Sequence, residues 1–284
     1  MPVTDDLATL RVSDLDLERY VTVDSTESVA RAVQAMRESG YSCACVVDDG
    51  RLVGVFTQRD VLMGVLGRPR VCGRPITEEM TRFPRTMTAD QSVADGLALM
   101  TEWWVRSVPV LDDDDRLLGT LSWYTVMSLM ADLLERTQSH EETEPGPEHG
   151  LAFVDFTGLN TSTPVIVAET DTVDVAVHHM RSRAIGSVLV VDGREQLTGI
   201  LTEFDLLVKL GCTVDDLSSV EVREAMNSEV VSVSARSPIA DAIHAMADRG
   251  FSHAPILGES SRPVGVASFR DLATYFETSL ESMV

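Results

Sequence analysis

Four segments of this 284-residue chain carry a hydroxyl residue followed three positions later by an aspartate or, once, a threonine. In chain order the two positions are Thr57 and Asp60, Ser122 and Thr125, Thr202 and Asp205, and Ser268 and Asp271. Each segment lies between an apolar run and a helix-like stretch, so free backbone N–H groups and the positive end of a helix would meet there. A hydroxyl in that place can hydrogen-bond a phosphate or ribose oxygen, and a carboxylate can accept from both ribose hydroxyls. The pattern therefore predicts ribose-phosphate sites, although it is also typical of an ordinary helix cap.

The second segment departs from the pattern because it carries Thr125 in place of aspartate. A neutral hydroxyl cannot hold two ribose hydroxyls as an anion does. We therefore expect the site of Ser122 and Thr125 to be weak or empty, with at most three of the four sites competent.

The four segments close four sequence repeats, which align on one methionine each: Met36, Met100, Met180 and Met246. A β-branched residue stands seven positions before each methionine, which places both on one face of a helix. The residue three positions after the hydroxyl then follows the methionine by 24 or 25 residues in every copy. Between them lie an apolar strand, a polar turn and a second strand with a glycine. This register predicts an α/β (α+β) fold built of four equivalent units.

The spacing between copies indicates two pairs. The aligned methionines of copies one and two are 64 residues apart, those of copies three and four 66, and those of copies two and three 80. The extra length falls in an acidic, Pro- and Gly-containing stretch that is typical of a linker. We therefore divide the chain into 1–68, 69–138, a linker over 139–150, 151–211 and 212–284.

The order of helix, apolar strand, turn and strand–Gly–x–x–[Ser/Thr]–x–x–Asp resembles the cystathionine-β-synthase (CBS) domain, over nearly the whole chain. In that family two consecutive domains associate through their sheets into a pseudo-two-fold Bateman module, and two modules can stack as a disk. Four copies in one chain are similar to the gamma subunit of AMP-activated protein kinase. The resemblance thus implies four CBS domains in two stacked Bateman modules, and it leaves open a disk within one chain or a homodimer.

The resemblance also implies roles for individual residues. The family's aspartate holds the ribose, which assigns that role to Asp60, Asp205 and Asp271. His253 stands where gamma-type sensors place a phosphate-contacting histidine, with a hydrogen bond inside its own module as the alternative. Arg59, Arg106 and Arg270 either reach phosphate or lie on a solvated face. The base pocket comes from the partner copy. By alignment its residues are Val165, Ile185, Gly186 and Ser187 for the Asp271 site, Val231, Phe251 and Ser252 for the Asp205 site, and Val105 and Arg106 for the Asp60 site.

Composition limits the partners. Acidic residues outnumber basic ones 45 to 23, the formal net charge is −22, and Lys209 is the single lysine. Such a charge disfavours nucleic acid, and it is typical either of proteins from a salt-rich cytoplasm or of a generic acidic bacterial protein. No apolar stretch approaches the length of a membrane span and the start has no signal-like region, so we expect a cytoplasmic protein that does not enter membranes.

The chain contains four cysteines. Cys43 and Cys45 lie on one face of an apolar strand, and no further ligands stand at a spacing typical of a metal site. We therefore expect no metal, and we expect all four cysteines, Cys72 and Cys212 included, to be buried structural thiols.

Taken with the resemblance, these patterns predict a regulatory or sensory protein that binds an adenine nucleotide (AMP, ADP or ATP) between paired CBS domains and modulates a partner enzyme or transporter. The alternative is an interaction scaffold, or a binder of another adenosyl ligand such as S-adenosylmethionine, with degenerate nucleotide sites. No Ser/His/Asp set, paired carboxylates or metal-ligand spacing stands out, so we expect no enzyme. We expect the second half, around Asp205, His253 and Asp271, to be the main nucleotide site.

Overall fold

The computed structural model describes residues 7–17, 20–138, 155–156, 163–258 and 261–281, with the backbone alone for 136–138 and 276–281. The linker predicted over 139–150 lies outside the described residues. Within the described chain no helix is both long enough and apolar enough to cross a bilayer.

Each of the four copies consists of a short strand, a helix, a β-hairpin and a second helix. Copy one comprises β1 (Val21–Asp24), α1 (Val29–Ser39), β2 (Cys43–Asp48), β3 (Arg51–Thr57) and α2 (Gln58–Asp60, continued by a π-helical turn over Val61–Val65), and β4 (Thr81–Arg82) extends its sheet. Copy two comprises β5 (Met87–Thr88), α3 (Val93–Trp103), β6 (Ser107–Leu111), β7 (Leu117–Ser122) and α4 (Trp123–Gln138).

The second half repeats this order. Copy three comprises β8 (Ile166–Ala168), α5 (Val173–Ser182), β9 (Ser187–Val191), β10 (Leu197–Thr202) and α6 (Glu203–Leu210). A short helix α7 (Val222–Ala225) precedes copy four, which comprises β11 (Val233–Ser234), α8 (Ile239–Arg249), β12 (His253–Leu257), β13 (Pro263–Ser268) and α9 (Phe269–Glu281). In all four sheets the first strand pairs parallel with the second, and the second pairs antiparallel with the third.

The helix that starts each copy folds as its sequence predicts. The four aligned methionines are all buried, as are the β-branched residues seven positions earlier. Ser28 and Ser92 cap α1 and α3 by accepting from the backbone N–H three residues on. Gly40 and Gly250 end α1 and α8 with positive φ, which a glycine adopts without steric cost.

The two copies of each half associate in the same way, because the segment that precedes each copy pairs with the other copy. The segment before copy two pairs with copy one through a Ser28–Pro75 bridge, and the segment before copy four pairs with copy three through Thr172–Glu221. The segment before each first copy instead meets the start of the second copy's helix, at Arg11–Ser92 and at Asp155–Pro238. Both halves therefore form pseudo-two-fold modules with one connectivity.

The two modules stack through their helices. One hydrophobic core combines copies one and three, and the other combines copies two and four. In the first, α6 packs against α1 and α2; in the second, α4 packs against α8 and α9 against α3. The Arg181 side chain adds two bonds across the stack, donating to the carbonyls of Leu62 and Leu66 at 2.8 Å each. The mixed α/β architecture predicted from the repeat, and the two stacked modules implied by the resemblance to the CBS domain, are confirmed.

The cysteine prediction is half wrong. Cys43 and Cys45 are buried free thiols on one strand, as expected. Cys72 and Cys212 instead form a disulfide, with their Cα atoms 5.8 Å apart. They are separated by 140 residues in sequence, and only the stacking of copy one on copy three brings them together. Because the bond joins the two modules, it cross-links the stack.

Candidate functional site

Each of the three predicted aspartates forms the start of a helix and also faces a cavity. Asp60 Oδ2 accepts from Thr57 N and Oγ1, both at 2.7 Å. Asp205 and Asp271 make the same pair of bonds at 2.6–2.9 Å, to Thr202 and to Ser268. The helix-cap interpretation is therefore correct, but it does not exclude the ribose role, because these bonds use Oδ2 and leave Oδ1 to accept from a ligand. Burial raises the pKa of both Asp60 and Asp205.

The second copy keeps the cap without the carboxylate. The hydroxyls of Ser122 and Thr125 hydrogen-bond each other at 2.8 Å, and Thr125 N donates to Ser122 Oγ at 3.2 Å. Ser122 is buried and lines the cavity beside Asp205, whereas Thr125 lines none of the three cavities described below.

The Asp271 cavity, of about 120 Å³, lies between copies three and four, and copy two closes it. All four residues predicted for its base wall line it: Val165, Ile185, Gly186 and Ser187. Arg106, His253 and Arg270 line the same cavity. A Cβ on Gly186 would lie 2.7 Å from Arg106 Nη2 and 3.0 Å from His253 Nε2, so the absence of a side chain there lets these two groups approach the backbone.

The Asp205 cavity, of about 340 Å³, is formed by all four copies. The predicted residues Val231, Phe251 and Ser252 line it. Tyr41 of copy one and Tyr124 of copy two also contribute, so the other module completes this site.

The Asp60 cavity is the largest of the three, at about 610 Å³. Val105 and Arg106 line it as predicted, and the second module contributes Glu203 and Arg270.

An aromatic rim at the same cavity was not assigned to a site by the sequence patterns. It consists of Phe83, Trp103 and Trp104, whose exposed fractions are 91%, 45% and 67%. The guanidinium of Arg85 lies 3.7 Å from the Trp103 ring centre and that of Arg270 3.9 Å from the Trp104 ring centre. Phe83 and Trp104 have φ values of 50° and 58°, in the left-handed region that side chains of this size rarely adopt.

A buried carboxylate organises the arginines where the cavities meet. Glu203 is 2% exposed, and its oxygens lie 2.7 Å from Arg59 Nε and 3.4 Å from Arg106 Nη1. Gln58 also donates to it, at 3.2 Å. Sequence reasoning missed Glu203; the one signal was that it occupies the position of Gln58 in the aligned copies. Burial lowers the pKa of Arg106, but guanidinium stays charged at neutral pH.

His253 connects this group to the second module. Its Nε2 lies 3.4 Å from Arg106 Nη2 and its Nδ1 lies 3.1 Å from Ser252 Oγ. Burial, followed by the charges of Arg106, Arg59 and Arg270, holds the pKa of His253 well below its usual range. The imidazole is therefore neutral at pH 7. Because a guanidinium can only donate, Nε2 accepts from Arg106 and Nδ1 carries the proton toward Ser252.

Comparisons with known proteins agree with this architecture. The CBS-domain family model matches residues 12–67, 76–132, 157–211 and 222–278. The CBS domain-containing protein CBSCBSPB3 of Arabidopsis thaliana is 27% identical over 273 residues, which are 87% of this chain and 49% of that protein. Uncharacterized protein MJ1404 of Methanocaldococcus jannaschii is 23% identical over 93% of this chain and 61% of its own. The chain thus spans about half the length of the Arabidopsis relative.

Two solved structures share the fold over 94% of this chain, each at 18% identity. One is protein MJ1225 of Methanocaldococcus jannaschii, described as a candidate archaeal homologue of g-AMPK, which is covered completely with a TM-score of 0.77. The other is an uncharacterized conserved protein of Pyrococcus horikoshii, covered to 99% with a TM-score of 0.57. With four matched domains over most of its length and four sheets of one topology, this chain belongs to the CBS-domain family.

Proposed function

We propose that the protein is a regulator that binds adenine nucleotides in the cavities between its paired CBS domains. One observation carries the proposal: Asp60 and Asp271 each line a cavity that also contains arginine side chains. A carboxylate with a free oxygen suits the two hydroxyls of a ribose, and guanidinium groups suit phosphate. The two kinds of group in one cavity match the two polar ends of a nucleotide.

The arginines support a phosphate role because of where they lie. The chain has a formal net charge of −22, which repels anions over its surface as a whole. Arg59, Arg106 and Arg270 nevertheless gather at one place with Glu203 as the buried counter-charge. Such a local excess of donors in a half-enclosed cavity stabilises an anion far more than an exposed lysine does.

The arrangement also suits a sensor. Each cavity takes residues from both modules, so a ligand that contacts both prefers one relative position of the two. A ligand shifts a conformational equilibrium only by such a preference. The similarity in fold to a candidate homologue of g-AMPK supports a regulatory role, with an enzyme or a transporter as the regulated partner.

Calorimetry on the purified protein tests the proposal. AMP, ADP and ATP should bind and GMP should bind more weakly. Asp60→Asn and Asp271→Asn should each remove one nucleotide site while the melting temperature stays within a few degrees. Thr125→Ala is the matched control and should leave the stoichiometry unchanged, because Thr125 lines none of the three cavities described above. Absence of binding by every adenine nucleotide to the folded protein would overturn the proposal.

A further inference from the structure

The second module repeats the connectivity of the first, which makes the Asp60 and Asp205 cavities equivalent position by position. β4 pairs with β3 at Thr81–Val55, and Asn227 pairs with Ile200 at the same place in the second module. This register equates Phe83 with Glu229 and Arg85 with Val231. The alignment of α3 with α8 equates Trp104 with Gly250 and Arg106 with Ser252, and the two aspartates equate Arg59 with Phe204.

The equivalent positions carry different charge. Each of the four arginines of the Asp60 cavity corresponds to an uncharged residue of the Asp205 cavity: Phe204, Val231, Ser252 and, by the alignment of Asp271 with Thr125, Tyr124. At a further position the neutral Phe83 is replaced by the acidic Glu229. The Asp60 cavity therefore has four lining arginines against Asp60 and Glu203, whereas the Asp205 cavity has Arg249 against Asp205 and Glu229.

The remaining charged groups near Asp205 do not restore a phosphate site. Lys209 Nζ is 4.0 Å from Asp205 Oδ1, but it also donates to the carbonyls of Ala225 and Met226 at 2.8 and 2.6 Å. His253 also lines this cavity, but its Nε2 lies 3.4 Å from Arg106 Nη2 and its Nδ1 lies 3.1 Å from Ser252 Oγ, so both ring nitrogens are occupied. Arg249 is exposed at the end of α8, where water screens its charge.

What the cavity keeps is the part that would hold a nucleoside. Asp205 retains its cap bonds to Thr202 and has Oδ1 for a ribose. Val231, Phe251 and Tyr41 supply an apolar wall for a base. A phosphate in this place would face the partly buried Asp205, whereas Glu229 and Arg249 are both exposed and screened by water, so neither compensates for that repulsion. An unpaired like charge in a partly desolvated site is costly.

We propose that the Asp205 cavity binds an adenosyl ligand without phosphate, whose 5′ substituent is neutral or cationic. The inference rests on the proposed function, because it takes the ribose contact of Asp205 from the same argument. It separates the sites into two ligand classes: nucleotides in the Asp60 and Asp271 cavities, and a nucleoside-type ligand in the Asp205 cavity.

The experiment isolates this cavity in the Asp60→Asn, Asp271→Asn double variant. Calorimetry at fixed salt compares adenosine, S-adenosylmethionine and AMP, which share the nucleoside and differ at the 5′ position. We expect AMP to bind about tenfold or more weakly than the tighter of the other two. Affinity that rises from adenosine to AMP overturns the inference. If wild-type protein binds nucleotides but the double variant binds none of the three ligands, the inference alone fails; if wild type binds no adenine ligand, the proposed function fails as well.

A charge swap provides the second arm. Glu229→Phe with Val231→Arg, introduced into the double variant, copies Phe83 and Arg85 and should raise AMP affinity relative to adenosine about tenfold. Asp241→Asn with Asp248→Asn is the matched control, since it changes the net charge by the same two units at exposed positions of α8 that do not line the cavity, and it should leave the ratio unchanged. An equal response of both variants would assign the effect to net charge and contradict the inference.

Discussion

The Asp60 and Asp205 cavities occupy the same place in two modules built from one repeat, and they keep the same aspartate among different neighbours. The aspartate is tied to the fold, because it caps a helix through two bonds to the hydroxyl residue three positions earlier. The arginines have no such local role, so their positions can change without loss of the helix. The comparison teaches that within a repeat the aspartate persists for structural reasons, whereas the charges around it differ between the two cavities.

The second copy shows the converse. Thr125 preserves a hydroxyl–hydroxyl cap with Ser122 but has no carboxylate. The helix start survives the change, and the carboxylate that we propose as the ribose contact is absent. A cap residue by itself is therefore weak support for a ligand site, and the neighbouring charges carry the argument.

The largest expected effect concerns the stack on which both cavities depend. Cys72→Ser with Cys212→Ser removes a cross-link between the two modules, and we expect the free energy of unfolding to fall by about 2–5 kcal/mol. Denaturant titration of oxidised protein measures it. Both the Asp60 and Asp205 cavities should lose affinity together, because each takes residues from the other module. A loss of affinity at only one of the two cavities would contradict the dependence of both on the stacking of the modules.

The next largest effect is expected for Arg106→Ala, which should weaken nucleotide binding at two cavities and leave the third almost unchanged. Arg106 lines the Asp60 and Asp271 cavities, and the Asp205 position equivalent to it is Ser252. Loss of a charged donor should weaken AMP and ATP about 10- to 100-fold at the first two cavities. Adenosine binding to the Asp205 cavity should change little. Arg249→Ala is the matched control: this exposed arginine lines the Asp205 cavity and neither of the other two, so its loss should leave AMP and ATP binding at the Asp60 and Asp271 cavities unchanged in calorimetry.

Proton uptake should accompany the binding of AMP but not the binding of adenosine. The pKa of free His253 lies below the usual 6.5, so the ring is neutral at pH 7. A phosphate beside it in the Asp271 cavity stabilises the imidazolium and raises that pKa. AMP binding should therefore take up protons and strengthen as pH falls from about 8 to 6. Calorimetry in buffers of different ionisation enthalpy detects the uptake.

The control for the pH experiment is His253→Gln, which retains the proton exchange of the phosphate itself and removes the proton uptake of the ring. Adenosine should show no uptake in either protein. Equal uptake by wild type and His253→Gln would contradict a phosphate beside His253.

The smallest expected effect concerns the aromatic rim. Trp104 occupies a left-handed position where copies one and four have Gly40 and Gly250. Trp104→Gly removes about 1–2 kcal/mol of backbone strain and loses the contact with Arg270, so stability should not fall by more than about 1 kcal/mol. Nucleotide affinity at the Asp60 cavity should fall about 3- to 10-fold if the ring stacks on the base. Unchanged nucleotide affinity would show that the aromatic rim does not contact the ligand.

How much could be predicted from the sequence depended on whether a feature lies within one copy. The repeat register placed Asp60, Asp205 and Asp271 correctly at helix starts, and symmetry placed the wall from Val165 to Ser187 at the Asp271 cavity. The Cys72–Cys212 bond and the Glu203 cluster join copies far apart in the chain, so they depend on how the modules stack. No pattern within a copy carries that information.

The expectation that the second half is the main nucleotide site also depended on counting residues within copies. His253 and Asp271 do meet in one cavity, as that expectation required. The Asp60 cavity, however, gathers its arginines from copies one, two and four, and Glu203 from copy three. We therefore propose Asp60 and Asp271 together, and not the second half alone, for phosphate-bearing ligands.

Competition between two ligands tests the central claim most directly. Radiolabelled adenosine is equilibrated with wild-type protein by dialysis, and ATP is then added until the Asp60 and Asp271 cavities are saturated. The account predicts that ATP displaces adenosine from those two cavities and that one adenosine per chain stays bound, in the Asp205 cavity. Complete displacement of adenosine by ATP, with one common affinity, would contradict two ligand classes in this protein.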